Sequence, residues 1–180
     1  PASTKIVLEH LHEGQTFIDC GAHIGYYTLL ASKIVGPTGK VIAFEPWQRN
    51  FGLLQRNASL NEVRNVELHQ VALWSEEREI YIGLNDANTG NVRVVASNDH
   101  ADTSPVMAKR LDDYASYADF LKVDCQGADT EILKGASKLL ASNPNMKLLI
   151  EDGAATPLLE GYGFKLQKSV NTDQQVFYHR

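Results

Sequence analysis

The sequence predicts an α/β fold with a doubly wound, mostly parallel sheet between helices. Short apolar runs alternate with segments of helical periodicity along most of the chain, which is typical of such folds. Four of these runs end in a carboxylate, namely Asp19, Glu45, Asp124 and Glu151. Because the carboxyl ends of parallel strands form the ligand crevice of such sheets, we expect these four acids to converge there.

The composition indicates one globular domain over residues 1–180, since 43% of the chain is hydrophobic and no repeat, linker or low-complexity tract divides it. The 17 basic and 22 acidic residues give a formal charge of -5 without a basic cluster, which argues against a nucleic-acid partner. No apolar run approaches the roughly 20 residues that span a bilayer, and the start has no signal-peptide core. We therefore expect a cytoplasmic protein without a membrane partner.

The first strand, which begins at Thr16, leads into a glycine loop. Gly21 and Gly25 precede a helical segment, so the chain passes from strand through a tight turn into a helix. A dinucleotide fingerprint would need glycine at positions 23 and 26. The pattern D-x-G-x-x-x-G instead suits the methionine half of S-adenosylmethionine, with an ammonium group at Asp19; the alternative is a tight connection without a ligand. The candidate cofactor-binding residues here are Asp19, Gly21, Ala22, His23, Gly25, Tyr26 and Thr28.

The second strand, over residues 40–45, closes in Glu45 about twenty residues after the loop. In cofactor-binding α/β units an acid at this place accepts hydrogen bonds from ribose hydroxyls. Pro46 ends the strand, and Trp47 either covers an adenine face or simply packs. A helix over residues 48–61 and a third strand over 66–73 follow, and Ala72 and Leu73 are expected to line the adenine pocket.

The segment over about residues 79–110 is predicted to be a polar excursion from this pattern. Residues 79–84 and 91–96 are typical of a hairpin, residues 97–105 are polar and irregular, and residues 106–111 form another short strand. The excursion either shapes substrate choice or is an ordinary surface loop.

The fourth strand of the main pattern, over residues 120–124, carries two charged residues. Lys122 and Asp124 share a face by alternation, and a lysine between apolar strand residues should be paired. One helix is expected over residues 129–143, and a fifth strand over 147–150 ends in Glu151. A helix at 158–162 and antiparallel strands at 164–168 and 175–178 complete the chain.

Three stretches together resemble the FkbM-type family of S-adenosylmethionine-dependent methyltransferases over about residues 14–151. They read D-C-G-A-H-I-G-Y-Y-T from position 19, V-I-A-F-E-P from 41 and L-K-V-D-C-Q-G-A-D from 121. The resemblance implies a seven-stranded, Rossmann-like class I methyltransferase sheet with an antiparallel last strand. It also implies S-adenosylmethionine as cofactor, with its methionine end at the glycine loop and its ribose at Glu45. The sequence departs from the family's usual Asn, Glu and Glu at His23, Gln126 and Asp129, and Gln126 removes a negative charge beside the expected acceptor pocket.

The expected chemistry is O-methylation of a hydroxyl on a small molecule or a glycan. An acceptor hydroxyl has a high pKa, so a nearby base or cation would help, and the candidates are Asp124, Lys122 and Glu151. Each has a structural alternative: Asp124 as a cofactor ligand or turn cap, Lys122 as a buried ion-pair partner, Glu151 as a support for the following loop. We predict no metal, although Asp124 and Glu151 could in principle bind one. The alternative functions are a nicotinamide-dependent oxidoreductase and a non-catalytic module that binds S-adenosylmethionine.

Overall fold

A computed structural model describes residues 2–84, 92–95, 103–151, 153–170 and 175–180. Its helices are α1 (Ala2–His10), α2 (Tyr26–Val35), α3 (Gln48–Leu60), α4 (Asp129–Lys134), α5 (Ser137–Ser142) and α6 (Thr156–Gly161), with 3-10 turns at Leu111–Asp113 and Gly153–Ala155. Its strands are β1 (Thr16–Cys20), β2 (Lys40–Phe44), β3 (Val66–His69), β4 (Ala72–Leu73), β5 (Arg78–Leu84), β6 (Val92–Val95), β7 (Thr103–Lys109), β8 (Phe120–Val123), β9 (Lys147–Ile150), β10 (Lys165–Val170) and β11 (Gln175–His179).

The larger sheet has seven strands in the order β10-β11-β9-β8-β1-β2-β3. The pairs from β3 through β2, β1 and β8 to β9 are parallel, whereas β11 runs antiparallel to both β9 and β10. This confirms the predicted seven-stranded, mostly parallel sheet with an antiparallel last strand. Because β1 pairs with both β2 and β8, the three strands that lead to Asp19, Glu45 and Asp124 are neighbours.

Helices cover both faces of the larger sheet, and consecutive residues of its strands therefore pack into two different hydrophobic clusters. In β1, Phe17 packs with Val7 of α1 and Val35 of α2, whereas the next residue, Ile18, belongs to the cluster that contains Ile132 of α4. Both β1 residues are fully buried. The strand sequence is therefore apolar at successive positions, as parallel strands between two helical layers require.

The prediction of one third strand over residues 66–73 is wrong. The chain leaves the larger sheet after β3, and Ala72 and Leu73 pair with Ala108 and Lys109 of β7 in a smaller sheet of order β4-β7-β5-β6. This pairing lies about 35 residues away along the chain, so no local pattern could indicate it.

The predicted hairpin is confirmed, since β5 pairs antiparallel with β6 and places Ile82 opposite Val94. The predicted turn over residues 85–90 and most of the irregular segment at 97–105 lie outside the described residues. The last part of that segment is not irregular, because Thr103–Pro105 belong to β7 and pair with β5.

The helix predicted over residues 129–143 is two helices, because the chain breaks at Gly135. A Cβ atom at Gly135 would lie 2.1 Å from the carbonyl oxygen of Trp74, so the chain passes too close there for a side chain. The first turn of the second helix, α5, is hydrogen-bonded to the side chain of Asp112. Its Oδ1 and Oδ2 accept hydrogen bonds from the backbone N–H groups of Leu139 and Lys138. A carboxylate more than twenty residues away thus caps α5. Across the described ranges, no helix has the length and apolarity needed to cross a membrane.

Candidate active site

A cavity of about 260 Å³ opens where β1, β2 and β8 end. The hairpin of the smaller sheet forms one side of it, through Ile80, Ile82, Val92 and Val94. The predicted residues that line the cavity are Gly21, His23, Glu45, Pro46, Ala72, Leu73 and Asp124. Of the four acids expected at the carboxyl ends of the strands, Glu45 and Asp124 therefore reach the cavity, and the hairpin of the excursion lines it as well.

Lys122 holds two of the converging acids together from beneath the cavity. Its Nζ lies 3.2 Å from Oδ1 of Asp19 and 3.5 Å from Oδ2 of Asp124, and only 1% of the residue is exposed. Burial lowers the pKa of Lys122, but Asp19 and then Asp124 outweigh it and the net shift is upward. Lys122 therefore stays charged as an internal ion-pair partner, and it does not line the cavity.

Asp19 is also inside the protein rather than at the cavity surface. It is fully buried, and besides Lys122 it accepts a 2.7 Å hydrogen bond at Oδ2 from the hydroxyl of Thr28. Two predicted cofactor contacts, Asp19 and Thr28, thus form an internal support that fixes the start of α2 against β1. Neither side chain lines the cavity.

The two glycines of the loop are required by backbone geometry. Gly21 has φ +81° and a Cβ there would lie 2.1 Å from the carbonyl oxygen of Asp124, while Gly25 has φ +98° and a Cβ would lie 2.6 Å from Cδ1 of Leu54. The loop can therefore approach the end of β8 closely only because position 21 has no side chain. Between them, Ala22 is buried and donates its N–H to the carbonyl oxygen of Phe44 at 2.9 Å.

Glu45 connects the glycine loop to the start of α3 through hydrogen bonds. Its Oε2 accepts the N–H of His23 and its Oε1 accepts the N–H of Trp47, each at 2.9 Å, and Asn50 donates a third hydrogen bond. Burial raises the pKa of Glu45 to about 7, although the bonds from Trp47, His23 and Asn50 oppose the shift. A carboxylate has about four acceptor positions, so roughly one stays available for a ligand hydroxyl.

The turn after β8 is fastened to the end of β9 by two carboxylates. Glu151 accepts the backbone N–H of Gln126 at Oε2 and its Nε2–H at Oε1, both at 2.7 Å. Behind it, Asp129 accepts the N–H of Cys125 and the N–H of Glu151, both at 3.1 Å. Burial raises the pKa of Asp129 to about 7, and burial followed by the charge of Asp124 raises the pKa of Glu151.

The other predicted residues that do not line the cavity are Ala22, Gly25, Tyr26, Trp47 and Glu151. Tyr26 is 55% exposed, and its hydroxyl lies 3.3 Å from the hydroxyl of Thr4. Trp47 borders a second depression and packs against the cluster of Ala72, Ile80, Ile82 and Ala108, and its contact with adenine stays a prediction. Glu151 supports the turn from behind.

Sequence reasoning missed most of the apolar lining and two polar members. The unpredicted lining residues are Phe44, Asn50, Val71, Ile80, Ile82, Val92, Arg93, Val94, Cys125, Ala128 and Ile132. The alternation of Ile80 with Ile82 and of Val92 with Val94 was a usable signal, because it gives the hairpin one apolar face. Nothing local pointed to Asn50, which lies in the first turn of α3.

The residues present suit S-adenosylmethionine. Gly21 lines the cavity without a side chain, Glu45 offers an acceptor for a hydroxyl, and Ala72, Leu73 and Ile132 supply apolar contact area. Within the ranges described, no group of three or more His, Cys, Asp or Glu side chains could hold a metal ion.

Comparisons with known proteins show the family of this chain. The family model described as methyltransferase FkbM domain matches residues 19–166. "Methyltransferase 1" of Beauveria bassiana (strain ARSEF 2860) is 27% identical over 177 residues, covering 82% of this chain and 71% of that protein.

Solved structures share the fold. Methyltransferase FkbM from Methylobacillus flagellatus KT superposes with a TM-score of 0.62 at 18% identity, over 92% of this chain, which spans 43% of that one. A SAM-dependent methyltransferase from Aquifex aeolicus gives a TM-score of 0.57 at 20% identity, over 97% of this chain and 86% of that one.

Proposed function

The chain belongs to the methyltransferase FkbM domain family, whose cofactor is S-adenosylmethionine, and we propose that it transfers the methyl group to a hydroxyl of a small molecule or a sugar. The observation that carries the proposal is Asp124, a carboxylate that lines the cavity beside Gly21 and is paired with a buried lysine. We also propose that the two sheets act as one domain, because the hairpin of the smaller sheet lines the cavity of the larger.

The proposed cofactor-binding residues are those lining the cavity at the ends of β1 and β2, namely Gly21, His23, Glu45, Pro46 and Ala72. Asp19 and Thr28 act indirectly, by fixing the loop. Held by these residues, S-adenosylmethionine would supply an activated methyl group for the acceptor oxygen. The apolar hairpin excludes water, which would otherwise compete as an acceptor.

Asp124 is the proposed base. It lies at the cavity surface, and Lys122 and the turn behind it hold its position, so it can accept the proton that leaves the acceptor hydroxyl. The ion pair with Nζ of Lys122, at 3.5 Å, keeps the side chain of Asp124 oriented.

The Asp124→Asn variant tests this role. We expect affinity for S-adenosylhomocysteine to stay within a few-fold, while transfer of labelled methyl to a panel of sugars and phenols falls about 10²-fold or more, the scale of general acid–base catalysis. The matched control is Asp113→Asn at an exposed acid outside the cavity, which should behave as wild type. Full transfer activity in folded Asp124→Asn would contradict the assignment.

The alternative functions are outcomes of the same experiment. Binding of S-adenosylhomocysteine without transfer to any acceptor would favour a non-catalytic module, and tight binding of NAD would favour an oxidoreductase. A small-molecule acceptor is supported by the size of the cavity and a nucleic acid is disfavoured by the net charge of -5. The cytoplasmic location stays a prediction.

A further inference from the structure

A second depression, of about 710 Å³, adjoins the cavity and shares Pro46 and Ile82 with it. Its volume falls within the roughly 300–1,000 Å³ that small-molecule sites occupy. The residues that line the depression but not the cavity include Trp47, Gln48, Arg49, Gln70, Ser104 and Pro105. The depression is therefore a separate candidate site, between the start of α3 and the strands β5 and β7.

The depression lies on the side of the cavity away from Asp124. Trp47 and Arg49 follow β2 and Gln70 follows β3, whereas Asp124 follows β8, and β1 separates β8 from β2. Neighbouring strands lie about 4.8 Å apart, so the ends of β2 and β3 are at least two strand spacings from the end of β8. A molecule bound in the depression is therefore not placed to receive the methyl group, and it would be a second ligand.

Trp47 supplies an aromatic surface that is held in place. Its N–H is donated to Oε1 of Glu45, and its carbonyl oxygen accepts the N–H of Phe51, each at 2.9 Å. The indole packs against the cluster that contains Ile82, and the residue is nevertheless only half-buried. An indole that is already fixed can stack on a planar ring at little cost in conformational entropy.

Arg49 gives the depression a positive charge. It is the one charged residue among the described residues that line the depression, and no acid in the described ranges pairs with its exposed side chain. A guanidinium keeps its charge at any pH of interest and binds carboxylates and phosphates through paired N–H groups. Gln70 and Ser104 can donate further hydrogen bonds, so the polar part of the depression is complementary to an anion.

We propose that this depression binds a planar aromatic ring that carries a carboxylate or a phosphate. The ring stacks on the indole of Trp47, and the anionic group pairs with the guanidinium of Arg49. Because both residues line the depression and neither lines the cavity, the ligand binds beside the cofactor and not in its place. The inference goes beyond the proposed function and does not depend on methyl transfer.

Two pairs of probes test the ligand class. Benzoate is compared with neutral benzamide, and phenyl phosphate with neutral phenol. Affinity is measured by ligand-observed NMR on the protein saturated with S-adenosylhomocysteine, so that the cavity is filled. In at least one pair we expect the anion to bind about fivefold tighter or more, the scale of a hydrogen bond to a charged group. The pair that shows the preference distinguishes a carboxylate from a phosphate.

The location of the probes is tested by fluorescence. The chain has two tryptophans, Trp47 and Trp74, so the Trp74→Phe variant leaves Trp47 as the single indole. We expect the preferred anion to change the fluorescence of this variant to a saturating value, at the concentrations at which NMR detects binding.

The Arg49→Met variant removes the charge and keeps an unbranched side chain. The ratio of anion to neutral affinity should fall to about one. The matched control is Arg56→Met, at an exposed arginine two turns further along α3 and outside the depression, which should keep the preference. Trp47→Leu should weaken both members of the preferred pair severalfold, because the stacking surface is lost.

Several results would overturn the inference. They are the absence of saturable binding by either anion, equal affinity of the anions and their neutral matches, and a preference that survives in Arg49→Met. Displacement of the probes by S-adenosylhomocysteine would place them in the cavity and would overturn it as well. So would a Trp47→Leu variant that binds S-adenosylhomocysteine more weakly and the probes as before, because the indole would then cover adenine. Failure to bind S-adenosylhomocysteine contradicts the proposed function alone, since the probes are then titrated without it.

Discussion

At the scale of single residues, the charged positions of the strands were the most informative part of the sequence. A lysine between apolar strand residues must be paired, which predicted an ion pair for Lys122, and the ion pairs to Asp19 and Asp124 confirm it. Which of these charged side chains reach the cavity and which stay buried beneath it could not be predicted. Asp19 and Lys122 support the site from inside, and Asp124 reaches the cavity, because the small difference in depth between them depends on the packing of the whole sheet.

The Lys122→Met variant tests the ion pair. Methionine matches the volume of the lysine stem but leaves Asp19 buried without its cation, so we expect a loss of about 3–5 kcal/mol in the free energy of unfolding or no folded protein. Urea unfolding measures it. The control is Lys134→Met, whose exposed pair with Glu131 should cost less than about 1 kcal/mol. Equal stability of Lys122→Met and wild type would show that the pair contributes nothing.

At the scale of elements, prediction succeeded where periodicity is local and failed where distant pairing decides. The predicted strands β1, β2, β8 and β9 are correct to within about a residue, since each is a short apolar run with clear ends. The third strand and the long helix were each predicted as one element. The pairing of β4 with β7, and the cap that Asp112 provides for α5, divide them, and both involve residues far away along the chain.

The glycine loop is the element on which the cavity depends most. Gly21→Ala should destabilise the protein by more than about 2 kcal/mol, because a Cβ would meet the carbonyl oxygen of Asp124 and φ is +81°. Gly52→Ala is the matched control, since this glycine lies within α3 and a Cβ there would meet nothing within 4 Å. That variant should be about 0.5–1 kcal/mol more stable than wild type. Denaturant unfolding of both variants decides, and an unchanged Gly21→Ala would contradict the close approach.

At the scale of the whole molecule, the convergence of carboxylates at one sheet edge could be predicted because it follows from parallel topology alone. The remainder of the cavity could not, since the hairpin of β5 and β6 supplies an apolar side and its pairing with β7, like that of β7 with β4, is set by tertiary contacts. The orientation of the Gln126 amide depends on Glu151, which follows β9. The residues of a site at the carboxyl ends of parallel strands can therefore be predicted from the sequence only where they lie at strand ends.

The central claim, that this cavity binds the cofactor through Glu45, is tested most directly by calorimetric titration with S-adenosylhomocysteine at pH 6 and pH 8, with NAD as the comparison. Burial raises the pKa of Glu45 to about 7, so the carboxylate that we propose as acceptor for a ribose hydroxyl is mostly ionised at pH 8 and mostly protonated at pH 6. We predict binding of S-adenosylhomocysteine and not of NAD, with affinity about tenfold higher at pH 8 than at pH 6. Glu45→Gln should bind more weakly, by roughly 1–3 kcal/mol at pH 8, and lose the pH dependence. Equal affinity of Glu45→Gln and wild type at both pH values, or binding of NAD in place of S-adenosylhomocysteine, would contradict the account.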